Sequence, residues 1–163
     1  MSGRVLIAGI GNIFLGDDGF GPEVARRLGG QKLPDGVCVK DFGIRGFDLA
    51  CALTEPWELI VMVDAAARGG EPGTIYVLEV TDSSGTHAAD LPNAHGLDPA
   101  QALRLAGSLG KVTARLLLVA CEPAELGGDE GQMGLSEPAE RAVAAAIAEL
   151  ERIAYEFTQG VQV

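Results

Sequence analysis

Near its N-terminus the chain reads Val5-Leu6-Ile7-Ala8-Gly9-Ile10-Gly11-Asn12-Ile13-Phe14-Leu15-Gly16-Asp17-Asp18-Gly19-Phe20-Gly21-Pro22. An apolar run followed at once by glycine is typical of a buried strand that ends in a tight reversal. Gly9 and Gly11 supply the freedom in φ that such a reversal needs. Pro22 suits the first position of a helix, because its missing N–H would have no partner there. The stretch therefore predicts a strand, a glycine-rich turn and a helix, with the carboxylates of Asp17 and Asp18 near the helix start.

A glycine-rich turn after a strand also occurs in dinucleotide-binding folds. In the G-x-G-x-x-G pattern, however, the third glycine would fall at Phe14. Asp17 and Asp18 would then repel the phosphates. The sequence also has no Gly-Lys-Ser or Gly-Lys-Thr run. A nucleotide-binding module is thus an alternative that fold analogy alone supports.

Composition limits the classes of partner. The 163 residues predict one domain spanning 1–163, and the hydrophobic fraction of 47% indicates a compact core. The net charge of −11 disfavours nucleic acid and anionic membranes as partners. We see no apolar run long enough to span a bilayer and no signal peptide, and the three cysteines suit a reducing compartment. We expect a cytoplasmic protein that is monomeric when free.

Strand and helix patterns alternate along the rest of the chain. We predict strands at 5–8, 37–41, 59–64, 74–80 and 115–120, and helices at about 22–28, 47–53, 98–110 and from 136 onward. The strand at 74–80 is more polar, which indicates an edge position, and 81–94 is predicted to be a polar loop. Alternating elements of this kind predict an α/β fold. We expect a single-domain, three-layer α/β/α structure with a mostly parallel, twisted sheet of about five strands.

Three aspartates follow the carboxyl ends of predicted strands. Asp18, Asp41 and Asp64 each come at or just after such an end, and His95 precedes a helix start. In a doubly wound sheet the functional crevice lies beyond these ends, so the side chains can converge there. Two carboxylates and an imidazole suit a borderline divalent ion such as nickel or zinc. The pattern therefore predicts a mixed oxygen and nitrogen site.

Two other interpretations of these residues remain open from the sequence. Asp17 or Asp18 can simply interact with the positive end of the first helix, as acidic residues in a first turn often do. Cys121 follows the last strand and could pair with His95 as a nucleophile. Asp64 is harder to explain without a function, because a carboxylate that closes a run of apolar residues is costly to bury without a partner.

The opening motif resembles that of the hydrogenase maturation proteases, which trim the C-terminus of nickel-iron hydrogenase large subunits. The matching pattern is Gly9-x-Gly11-Asn12-x-x-x-Gly16-Asp17-Asp18-Gly19-x-Gly21, and Val119-Ala120-Cys121-Glu122-Pro123 and Gly134-Leu135-Ser136 resemble later signatures of the family. By this resemblance Asp18, Asp64 and His95 would be the metal ligands and the catalytic residues. Where the family often has Gly-Gly-Thr after the second strand, this chain has Phe42-Gly43-Ile44-Arg45-Gly46.

The resemblance implies an endopeptidase that senses nickel already placed in the large-subunit precursor and then removes its C-terminal extension. The nickel would belong to the precursor, although Zn²⁺ or Cd²⁺ could occupy the same ligands in vitro. Either the metal or an unliganded carboxylate would activate water. We expect Asp41, Gly43 and Arg45 to contact the substrate. The alternative is a non-catalytic nickel-binding chaperone with the same ligands.

Overall fold

A computed structural model describes residues 3–80, 99–128 and 130–160. Within these ranges it contains five strands, four α-helices and a short 3-10 helix. The strands are β1 (Val5–Ile10), β2 (Val37–Gly43), β3 (Leu59–Ala65), β4 (Ile75–Val80) and β5 (Arg115–Cys121). The helices are α1 (Phe20–Leu28), α2 (Gly46–Leu53), α3 (Pro99–Leu109) and α4 (Glu137–Thr158), and the 3-10 helix is Gly16–Gly19. Each predicted element is present, with bounds shifted by one or two residues. The predicted loop at 81–94 lies outside the described residues.

The five strands form one sheet in the order β2-β1-β3-β5-β4. All neighbouring pairs are parallel except β4 with β5, which is antiparallel. The polar strand β4 lies at an edge, as predicted, whereas every residue of β1 and β3 is buried. The chain passes from β1 outward to β2 and then to β3 on the other side of β1. This reversal between β1 and β3 is the switch point at which doubly wound sheets bind ligands.

Alternation along the central strands divides the core into two layers. Leu6, Ile60, Met62 and Leu118 pack on one face of the sheet with residues of α2 and α3, such as Leu49. The intervening residues pack on the other face with α1 and α4, in a cluster that includes Val5, Val61, Val119, Val24 and Leu150. Since successive strand residues point to opposite faces, both faces of the sheet carry a continuous apolar layer. The predicted three-layer α/β/α fold is confirmed.

The described residues include no helix that is both long enough and apolar enough to cross a membrane.

Candidate active site

The turn after β1 folds back onto itself at Gly11. Gly11 has φ of +141°, and its N–H donates to the carbonyl oxygen of Gly43 at 3.0 Å. A Cβ at this position would lie 1.8 Å from the carbonyl oxygen of Asp18. Both the backbone conformation and the space therefore require glycine here. The result is that Asp18 lies directly against the end of β1 and close to the end of β2.

The start of α1 rests directly on the backbone of the sheet. A Cβ on Gly21 would lie 2.1 Å from the carbonyl oxygen of Val63 and 2.3 Å from that of Ile10. A Cβ on Gly9 would lie 2.5 Å from the carbonyl oxygen of Gly21. These close approaches explain why the opening motif is rich in glycine. They bring the 3-10 helix, which carries Asp18, into contact with β3, which carries Asp64.

Asp18 and Asp64 are both buried at this switch point, with 1% and 0% of their surface exposed. One carboxylate oxygen of Asp18, Oδ2, accepts a hydrogen bond from the Asn12 N–H at 3.0 Å, and Oδ1 of Asp64 accepts one from the Ala65 N–H at 2.8 Å. Asp64 is in register with Ala120, so its side chain points toward the face covered by α2 and α3. The fold thus brings to one edge two of the three residues that the sequence predicts as ligands.

The third predicted ligand, His95, lies outside the described residues. Among residues 3–80, 99–128 and 130–160, no three His, Cys, Asp or Glu side chains gather in an arrangement that could hold a metal ion. Two buried carboxylates supply oxygen donors, and an imidazole would complete the mixed set expected for nickel or zinc. The donor chemistry of Asp18 and Asp64 therefore fits a divalent cation that has a further nitrogen ligand.

Asp41, Gly43 and Arg45 form a compact turn at the end of β2. Oδ1 of Asp41 accepts from the Gly43 N–H at 2.8 Å, and Gly43 has φ of +55°. The Arg45 guanidinium donates to the carbonyl oxygens of Asp41 and Phe42. This turn is joined to the opening motif through the bond between Gly11 and Gly43. The residues predicted to contact substrate thus lie beside the switch point, and their role stays a prediction.

Asp17 has a different role from the one considered in the sequence. Its side chain is fully buried, and Oδ2 accepts hydrogen bonds from the Ala124 N–H (2.8 Å), the Glu125 N–H (3.1 Å) and the Ser136 hydroxyl (2.7 Å). Oδ1 accepts from the Ser136 N–H at 2.7 Å. The N-cap of α1 is Gly19, and it makes no side-chain capping bond. Its carboxylate holds both ends of the segment 124–136, a role that the interpretation as a helix-start charge did not include.

Glu122 is a second buried carboxylate that the sequence did not single out. Only 4% of its surface is exposed, and both carboxylate oxygens accept from the Arg68 N–H, at 3.2 and 2.8 Å. Its carbonyl oxygen accepts from the Gly73 N–H at 2.8 Å. Glu122 thus ties the end of β5 to the segment that follows β3. Its position directly after a buried strand was the signal that could have identified it.

Cys121 is poorly suited to act as a nucleophile. It is 1% exposed and packs in the layer formed by α1 and α4, on the opposite face of the sheet from Asp64. Burial, aided by the negative charges of Asp17 and Glu122, raises the pKa of its thiol to about 12. Because the thiolate is the reactive form, such a cysteine is inert at neutral pH. The structure thus argues against the Cys121 alternative.

Known hydrogenase maturation proteins resemble this chain over most of its length. The profile of the family described as hydrogenase maturation protease (HycI) matches residues 22–153. The coenzyme F420 hydrogenase subunit delta of Methanothermobacter thermautotrophicus is 32% identical over 149 residues, which cover 88% of this chain and 90% of that protein. The hydrogenase expression/formation protein HupD of Rhodobacter capsulatus is 29% identical and covers 98% of this chain and 77% of its own length.

Solved structures agree with these relatives. The hydrogenase maturating endopeptidase HybD from E. coli superposes with a TM-score of 0.78 at 25% identity, covering 94% of this chain and 93% of that one. The hydrogenase 2 maturation peptidase from Thaumarchaeota archaeon SCGC_AB-539-E09 gives a TM-score of 0.69 at 31% identity, covering 92% and 97%. The fold is that of the doubly wound α/β maturation peptidases. The chain belongs to the hydrogenase maturation protease family.

Proposed function

We propose that this protein is the endopeptidase that removes the C-terminal extension from a nickel-iron hydrogenase large-subunit precursor after nickel has been inserted. The observation that carries the proposal is the pair of buried carboxylates, Asp18 and Asp64, at the switch point of a member of the maturation protease family. Relatives named as hydrogenase expression/formation proteins support the same substrate class. The precursor is thus the protein partner, and its nickel is part of the substrate.

In this proposal Asp18, Asp64 and His95 recognise the nickel that the precursor carries. The described carboxylates are well placed for this role because backbone N–H groups hold them in position before substrate arrives. Ligands that are already oriented lose little conformational freedom on binding. A precursor without nickel would offer these carboxylates no cation to coordinate. Recognition of the metal would therefore control which precursors are cut.

The reaction is hydrolysis of one peptide bond. A water molecule adds to the scissile carbonyl carbon, the carbon–nitrogen bond breaks, and a proton passes to the leaving amine. Either the precursor's nickel or a carboxylate that is not coordinated to it activates the water. Asp18 and Asp64, both buried at the switch point, are the carboxylates that we propose for this step.

The deciding experiment compares processing of purified precursor with and without nickel. We expect the protein to trim the nickel-loaded precursor and to leave the nickel-free precursor intact, as followed by mass spectrometry of the C-terminus. Equal trimming of both forms would contradict nickel recognition. Tight binding of the loaded precursor without any cleavage would instead support the non-catalytic chaperone.

Metal binding by the isolated protein provides an independent measurement. Isothermal titration calorimetry with Cd²⁺ should show one site in the wild-type protein and a large loss of affinity in His95→Ala. His87→Ala is the matched control, because it removes the only other histidine of the chain. Unchanged Cd²⁺ affinity in His95→Ala would remove His95 from the ligand set.

A further inference from the structure

A separate groove lies beside the opening motif, on the α1 side. Its volume is about 340 Å³, near the lower end of the range for small-ligand pockets. Ile13, Pro22, Met133 and Leu135 contribute apolar side chains to its walls. Gly16 and Gly19, which flank the Asp17-Asp18 pair, also line it. The groove is thus formed by the same turn that carries the proposed ligand Asp18.

Backbone hydrogen bonds hold the two walls of this groove together. The Gln132 N–H donates to the carbonyl oxygen of Phe14 at 2.7 Å, and the Gly16 N–H donates to the carbonyl oxygen of Gln132 at 2.8 Å. The carboxylate of Asp17 fastens the segment that carries Met133 at both of its ends. These contacts use backbone atoms and a buried carboxylate, so they do not depend on the identity of the apolar side chains that line the groove.

Exposed apolar side chains line the groove, and the charged side chains at its rim form ion pairs with one another. Ile13 is 45% exposed and Met133 is 65% exposed. Glu23 forms ion pairs with Arg26 at 2.6 Å and with Arg27 at 2.7 Å, and Arg27 also pairs with Glu140. The hydrogen bond from Arg26 holds the pKa of Glu23 below its usual value, so Glu23 stays ionised at neutral pH and paired with the two arginines. Such a groove favours an uncharged apolar side chain as its occupant.

Two observations argue against a second copy of this chain as the occupant. A net charge of −11 on each molecule opposes self-association. A volume of about 340 Å³ is also that of a small-ligand pocket, whereas a stable protein interface buries a broad surface. The groove does fit one or two side chains of a polypeptide that is already bound at the neighbouring switch point. The precursor of the proposed function is such a polypeptide.

We propose that this groove binds an apolar side chain of the hydrogenase precursor, at a contact separate from the nickel ligands, through Ile13 and Met133. The proposal rests on the proposed function, because it assigns a second contact to the same substrate. The contact would add affinity without taking part in the bond-breaking step. Its loss should therefore raise KM and leave kcat unchanged.

The test measures steady-state cleavage of nickel-loaded precursor by Ile13→Gln/Met133→Gln and by the single variant Met133→Gln. We expect KM to rise about tenfold in the double variant, as for loss of an apolar contact at a protein interface, with kcat within twofold of wild type. The control is Leu109→Gln, since Leu109 is 49% exposed but lies at the far end of α3. We expect its KM to equal that of wild type.

Each outcome supports or overturns the groove contact. Unchanged KM in the double variant, with normal cleavage by wild type, overturns it and leaves the proposed function intact. A wild-type protein that does not cleave the precursor overturns both. A change in sedimentation of the free variant would assign the groove to self-association instead. If the double variant has a lowered melting temperature, photo-cross-linking with the variant Met133→p-benzoylphenylalanine tests the groove contact instead. This variant must cross-link to the purified precursor, and a failure to do so overturns the contact.

Discussion

The carboxylate of Asp17 accepts hydrogen bonds from both the N–H and the hydroxyl of Ser136, each at 2.7 Å. Ser136 is also the N-cap of α4, where its hydroxyl oxygen accepts from the Ala139 N–H. The pair therefore connects the opening motif to the start of the last helix across 119 residues of sequence. The same pair fixes the position of the turn that contains Asp18, the next residue in the sequence.

Asp17→Asn should be strongly destabilising. An amide presents one oxygen and one NH₂ group, so the NH₂ would face donors that now point at a carboxylate oxygen. We expect the free energy of unfolding to fall by about 3 kcal/mol, the upper end for hydrogen bonds to a charged group. Chemical denaturation measures this loss. Asp35→Asn is the control, because Asp35 is exposed in a turn and should change stability by less than about 0.5 kcal/mol.

A double-mutant cycle with Ser136→Ala tests the contact itself. If Asp17 acts through Ser136, the two substitutions should be non-additive, with a coupling energy above about 0.5 kcal/mol. Strict additivity would show that the hydroxyl of Ser136 does not contribute to the cost of Asp17→Asn, which then arises from the backbone N–H groups of Ala124, Glu125 and Ser136.

Two helical glycines should respond to alanine in opposite directions. Gly21→Ala introduces a Cβ 2.1 Å from the Val63 carbonyl oxygen, so α1 must move away from the sheet. Gly107, on the exposed side of α3, has no atom within 4 Å of an added Cβ. We expect Gly21→Ala to destabilise by about 2 kcal/mol or more, as in overpacked cores, and Gly107→Ala to stabilise by about 0.5–1 kcal/mol. Thermal unfolding of both variants checks this, and a stable Gly21→Ala protein would contradict the direct packing of α1 on β3.

Asp18→Asn should separate function from stability. An amide oxygen is a poorer donor to a divalent cation than a carboxylate, so we expect processing of nickel-loaded precursor to be lost. The variant should stay folded, because the amide oxygen can still accept the hydrogen bond from Asn12. Precursor processing and thermal melting on the same preparation give both results. Normal processing by Asp18→Asn would contradict the proposed ligand set.

Cys121 should be unreactive in the native protein. With its pKa raised to about 12 by burial, it carries almost no thiolate at pH 8, and reagent cannot reach it. Cys38 is exposed and serves as the internal control. We expect iodoacetamide to label Cys38 within minutes and Cys121 only after unfolding, as read by peptide mass spectrometry. Cys121→Ala should retain processing activity, and a loss of kcat with the fold intact would restore the nucleophile alternative.

The raised pKa of Cys121 also implies a pH dependence of stability. Above the usual thiol pKa of about 8.5 the unfolded chain loses this proton, whereas the folded chain keeps it until about pH 12. The unfolded state then binds fewer protons, so stability falls as the pH rises through this window. Denaturation at pH 8 and pH 10.5 should show a smaller decline for Cys121→Ala than for wild type. Equal declines would show that the thiol titrates normally.

The sequence alone determined the elements, their order and the layer arrangement. Hydrophobic runs such as Leu59–Val63 and the capping of α4 by Ser136 are local signals, and local periodicity suffices to predict a doubly wound sheet. The sequence also predicted that Asp18 and Asp64 lie at the same edge of the sheet, because each follows a predicted strand and parallel strands present their carboxyl ends at one edge.

The tertiary structure alone decided what neighbouring residues of the opening motif do. Asp17 and Asp18 are identical in chemistry and adjacent in sequence, yet Asp17 meets donors from Ala124, Glu125 and Ser136, whereas Asp18 lies by the end of β1. The raised pKa of Cys121 likewise arises from burial among side chains far away in sequence. Such roles depend on distances between segments separated by more than 100 residues, and no local pattern encodes those distances.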